Sequence, residues 1–303
     1  MDAVNPMDVS FVEAIRGGVT SVVTGPGSAN PIAGQMLAMK TSGHRIDDMI
    51  ILQPAAMKFA LGENPKTVYH GKNLAPTTRM ATAAIIRETL YKAKEYLARK
   101  EKSEVDDGED APDFDIKLEA LIPVLQGKEP VHIHAHRTDD IFTAVRLAKE
   151  FSLKYVIVHG TAGHLIARDL KEENAVVICG PALAFRSKPE LKNLSFATPG
   201  VLSREGVVCA ICTDHPETPI QHLLLCAMLA VKSGMDEYEA LKAITINAAR
   251  CAGIDGSVGS IKAGKDADIV IFSGSPLEIG TTVDVTVIDG QIVWEASKLS
   301  DRR

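Results

Sequence analysis

The sequence predicts an α/β protein, built as an α/β barrel or as an open doubly wound sheet. Three observations point there. Short β-branched runs alternate with segments whose apolar residues recur at helical spacing. The strand candidates read as buried on both faces, as parallel strands do. With 46% of 303 residues hydrophobic, there is enough apolar material for one large core or two smaller ones. No GxGxxG or GxxxxGK(S/T) loop follows a strand, which counts against a nucleotide-binding open sheet.

Six runs read as buried strands: residues 19–23, 49–52, 131–134, 155–159, 175–179 and 207–213. Residues 77–102, 138–151, 219–233 and 236–251 read as helices. The second of these opens on Thr138 as N-cap, with Asp139 and Asp140 in the first turn where the helix dipole favours acids. Residues 102–115, KSEVDDGEDAPDFD, read as a solvated acidic insertion. Beyond Gly253 the chain turns to short strands with turn residues between them, and Asp289-Gly290 is a hairpin signal. Such a tail is too small to be a sandwich alone. The expected division is a barrel over 1–252 and a C-terminal β-module over 253–303.

Charge and cysteine usage narrow the function. Lys+Arg 33 against Asp+Glu 39 gives a net charge of −6, and no basic patch supports nucleic-acid binding. No apolar run approaches the roughly 18–20 residues that span a bilayer, and MDAVNPMDVS has no leader-like features. Five scattered cysteines fit a reducing cytoplasm, and Cys209 and Cys212 read as core thiols. The expected partner is a small-molecule substrate, with a homo-oligomer as the usual assembly.

The histidines carry the chemistry. His132, His134 and His136 alternate in PVHIHAHR, so a strand places all three imidazoles on one side. Burying several imidazoles without charge partners or metal is costly, which favours a site. His159 closes the next strand, and Asp214 and His215 follow a strongly apolar one. The interval from His134 to His159 fits one βα unit and that from His159 to Asp214 fits two, at the strand ends where barrel enzymes place their chemistry. Imidazoles with a carboxylate suit zinc, with manganese or iron as further choices.

These motifs, together with GGVTSVVTGPG, IVHGT, TDHP and ITINAARCAGIDGSVGSIKAGKDADIVIFSGSPL, resemble the amidohydrolase superfamily and within it the imidazolonepropionase-like metal-dependent hydrolases. The resemblance implies a distorted (β/α)8 TIM-type barrel, a β-sandwich built from both chain ends, and hydrolysis of amide, cyclic amide or dipeptide C–N bonds by metal-activated water. It implies His134 and His159 as metal ligands and Asp214 as ligand and proton shuttle. It further implies His136, Arg137 and His215 as neighbours expected to orient substrate. A carboxylated lysine or a glutamate from a middle strand is matched by Glu63, with Lys58 as the weaker choice; a surface carboxylate is the equal alternative for Glu63.

One family feature is missing: no histidine precedes His44, so the H-x-H pair of the first strand is absent. The expectation is a barrel lacking its first strand, half of a composite sandwich, and a second unseen strand between residues 64 and 130. Weak metal occupancy and little turnover follow for this chain, and a non-catalytic scaffold or an inactive truncated copy is the alternative. In GPALAFRSKPEL, Arg186 and Lys188 read either as a contact for a substrate carboxylate or as a solvated basic pair.

Overall fold

The computed structural model describes residues 1–105 and 110–296; residues 106–109 of the acidic insertion and 297–303 of the C-terminal segment lie outside the described residues. Seven strands form one mixed sheet in chain order: β1 (Ser21–Thr24), β2 (Ile32–Lys40), β3 (Ile50–Ala60), β4 (Val131–Ala135), β5 (Tyr155–His159), β6 (Val176–Cys179) and β7 (Val208–Ile211). The ladders β1–β2 and β2–β3 are antiparallel, and β3 through β7 are parallel. Among the described residues no ladder joins β7 to β1, so the sheet is an open arc of barrel wall. No helix among them is long and apolar enough to cross a membrane.

Strand period sorts the side chains. Val131 and Ile133 of β4 join Met57 and Phe59 of β3 in a core closed by Ile86 and Leu90 of helix Arg79–Val105 and Leu147 of helix Thr138–Glu150. Each such burial contributes about 1.5–3 kcal/mol. The alternate residues of β4, His132 and His134, point to the other side, inside the arc. A second core packs Ile157, Val177 and Cys209 of β5–β7 against Leu202, Cys226 and Ala227 of the helices that follow.

Several expectations need correction. The additional strand is β2, not a strand between residues 64 and 130, where the described elements are helices. IAGQMLAMK holds one β-branched residue, so propensity hides it, and only pairing on both edges makes it a strand. The run expected at 49–52 extends as β3 to Ala60, carrying Lys58 into the sheet. Arg137, not Thr138, is the N-cap residue; a guanidinium can only donate, so it makes no side-chain cap bond, and it grips Asp139 instead at 2.9 and 2.8 Å. The helix expected over 236–251 is two, Glu237–Ala243 and Ile246–Cys251, broken at Thr245. The break lets Asn247 Nδ2 donate to Cys209 O of β7 at 3.1 Å.

The tail forms a separate antiparallel sheet of β8 (Ile269–Phe272), β9 (Val283–Ile288) and β10 (Gln291–Glu295), in the order β10-β9-β8. Asp289 and Gly290, at φ 50° and 75°, make the two-residue hairpin that their sequence signals.

Glu129, just before β4, is 3% exposed and neither carboxylate oxygen makes a well-formed hydrogen bond. Burial pushes its pKa up from 4.5 to about 7, offset only in part by the Gln35 side chain. The folded state therefore holds a proton that the unfolded chain has released. Its contribution to stability is full below the unfolded value and is lost as pH rises through about 7. Glu129→Gln is expected to raise the melting temperature near pH 8 and leave it almost unchanged near pH 4; a thermal melt series across pH checks this.

Candidate active site

Parallel strands bring their C-terminal ends to one rim, and there the loops assemble the site. His134 on β4, His136 just past it and His159 at the end of β5 meet, with ligand atoms all within 4.8 Å of one another. The His134 and His159 rings meet edge to face at 4.5 Å between centroids, and His136 stacks on His159 at 4.6 Å. All three are buried.

Hydrogen bonds fix which nitrogen faces the centre. Gly180 O can only accept, so His159 Nδ1 donates to it at 2.7 Å and leaves Nε2 with a bare lone pair. His134 Nδ1 pairs with Ser28 Oγ at 2.9 Å, and its Nε2 is buried with no partner. His136 Nδ1 pairs with Thr161 Oγ1 at 2.7 Å. Burial keeps the rings neutral: it lowers His134 well below its ordinary value and His159 to about 4, with the other imidazoles, Lys58 and Lys188 adding to the effect on His134. His132, below the cluster, is lowered to about 4 by burial and bonds Cys251 O at 2.9 Å.

Asp214, just after β7, brings Oδ2 to 4.0 Å from His159 Nδ1, and its side chain is 44% exposed. His159 and Asp214 both sit at positive φ, 77° and 49°. A left-handed backbone at a non-glycine residue is held only when its surroundings enforce it, and such strain collects at functional sites. Lys58 of β3 lies beside His132 in the β3–β4 ladder. It is buried, and desolvation lowers its pKa while the Asp214 carboxylate opposes.

The sequence-expected residues divide accordingly. His134, His136 and His159 are brought together, with Asp214 at their edge. Glu63 opens helix Glu63–His70 outside the imidazole cluster, and its backbone N–H, not its carboxylate, enters the site network by donating to Glu190 Oε2 at 2.9 Å. Arg137 is committed to Asp139. His215 is exposed, its Nδ1 accepting from Ile220 N at 3.2 Å. Sequence reading missed Ser28, Thr161 and Glu190. Ser28 sits in the TGPGSAN loop after β1, and Thr161 follows the HG that ends β5, so turn residues at strand ends were the available signal.

A model of the amidohydrolase family matches residues 7–293. The chain is 28% identical to the amidohydrolase tasK of Hapsidospora irregularis, covering 96% of this chain and 32% of that protein. It is 27% identical to the imidazolonepropionase of Symbiobacterium thermophilum, covering 57% of this chain and 41% of that one. It thus spans less than half the length of either curated relative. The crystal structure of an amidohydrolase from Thermotoga maritima MSB8 superposes with a TM-score of 0.94 at 41% identity, over 97% of this chain and 76% of that one.

Proposed function

The chain belongs to the amidohydrolase family, and from that premise we propose that it is a metal-dependent hydrolase of C–N bonds in amides, cyclic amides or dipeptides. The observation that carries this reading is the bare, buried Nε2 of His134 beside the neutral His159 ring. An apolar interior does not leave a ring nitrogen unpaired without cost, and neutral imidazoles are the form that ligates. The donor set fits a borderline divalent ion, zinc first and manganese or iron next. His134 and His159 would hold it, with Asp214 at the mouth and Lys58 as the middle-strand residue in place of Glu63. A divalent ion there supplies Lewis acidity and acidifies water from about 15.7 towards about 7.

The chain's own groups do the rest. Ser28 and Gly180 O hold the two rings with Nε2 inward. Asp214, exposed to the mouth, accepts the proton of the attacking water and returns it to the departing amine nitrogen. That return completes the balance: water adds across the C–N bond, leaving a carboxylic acid and an amine.

Metal titration with a panel of cyclic amides, N-acyl amino acids and dipeptides tests the reading. Zinc binding is expected to weaken in His134→Ala by more than the roughly 10–100-fold that loss of a supporting hydrogen bond costs. Wild-type protein that takes up no zinc, manganese or iron and hydrolyses no panel member would overturn it.

A further inference from the structure

The loop after β6 carries two cations two residues apart, and the fold treats them oppositely. Arg186 is exposed and donates through Nη2 to Leu194 O of its own loop at 2.7 Å. Lys188 turns inward, with its side chain 24% exposed. Its Nζ lies 2.9 Å from Glu190 Oε1 and 2.6 Å from Asn64 Oδ1. The same Glu190 oxygen is 3.7 Å from His136 Nε2, so a single carboxylate oxygen separates the ammonium from the imidazole cluster. An ammonium has three N–H donors; the hydrogen bond to Asn64 takes one, and Glu190 Oε1, which makes no well-formed hydrogen bond, is an ion-pair partner only.

The anchor is rigid. The Glu190 side chain is fully buried, accepts from Glu63 N, and meets Arg79 Nη2 at 3.4 Å. Arg79 Nε in turn donates to the buried Asp140 carboxylate at 3.0 Å. A Cβ on Gly62, which sits at φ 80°, would stand 2.8 Å from Glu190 Oε2, so the turn after β3 closes directly onto this carboxylate. Arg79 and Lys188 are thus each paired with a buried carboxylate.

We propose that Lys188 is the specificity-determining contact for a carboxylate on the substrate, held in place by Glu190 and Asn64, so that the preferred substrates are N-acyl amino acids or dipeptides with a free carboxylate. The proposal rests on the hydrolase reading for the scissile bond, but its test does not need turnover. Calorimetric titration of the chain, with and without zinc, compares N-acetyl-L-amino acids with their carboxamides and with glucose 6-phosphate. Wild-type protein is expected to prefer the carboxylates. K188M should weaken their binding about 10- to 100-fold, the value of one charge-assisted hydrogen bond, and leave the carboxamides within about twofold. R186M should change neither, and K188Q replaces K188M if the latter does not fold. The proposal is overturned if the wild type shows no carboxylate preference, if Lys188 variants weaken both probes equally, or if the phosphate ester binds more tightly. Carboxylate preference that persists without zinc supports the subsite, while metal uptake judges the hydrolase reading by itself.

Discussion

Asp214→Asn is expected to lower kcat about 10²–10⁴-fold, the range for losing a positioned general base, with KM changed far less. Asn keeps the size and the polar contacts of the side chain but cannot take up a proton. Asp214 follows β7 with a left-handed backbone at φ 49°, and its Oδ2 lies 4.0 Å from His159 Nδ1, at the edge of the imidazole cluster. Its 44% exposure lets a substrate reach it, whereas the three imidazoles are buried. Steady-state kinetics on the best panel substrate, with zinc content measured on the same samples, separates loss of the base from loss of the ion. Turnover within twofold of wild type at equal zinc content would remove Asp214 from the mechanism.

The second large effect concerns stability. Lys40→Met is expected to destabilise the protein by about 3–5 kcal/mol, the cost of stripping one partner from a buried ion pair. Lys40, the last residue of β2, lies 2.9 Å from both Asp266 and Asp268 and 3.0 Å from Asp289. The Lys40 side chain is 7% exposed and that of Asp268 is 5%. Asp268 also receives Ser21 Oγ and the Asp289 N–H. One ammonium thus ties the barrel wall to the turn that starts the C-terminal sheet, and it gives a physical reason for the alternating acids of GKDAD. Asp289 is 58% exposed, so Asp289→Asn should cost less than about 1 kcal/mol. Denaturant melts of Lys40→Met and of Lys40→Met with Asp268→Leu provide the check. The double variant should recover much of the loss, because it no longer buries an unpaired carboxylate.

Where burial is two-sided and β-branched residues are dense, the strands were legible. Residues 155–159 match β5 end for end, and residues 131–134 fall one short of β4. β2 was invisible because Ala, Gly and Met carry no strand preference, and its identity is conferred by pairing with β1 on one edge and β3 on the other. The GKDAD turn was recognisable as a pattern, but its partner, Lys40, lies more than 200 residues away.

The order of residues alone determined that His134 and His136 share one side, because a strand has a period of two, and that His159 and Asp214 end later strands of the same α/β series. Only the packed chain decided that Glu63 meets the Glu190 network through its backbone N–H while Lys58 is buried in the sheet, that Ser28 pairs with His134, and that Lys188 rather than Arg186 turns toward the imidazoles. Local propensity assigns a residue to a strand or a loop; which way a loop side chain points depends on the buried charges it must satisfy, and those are contributed by other segments of the chain.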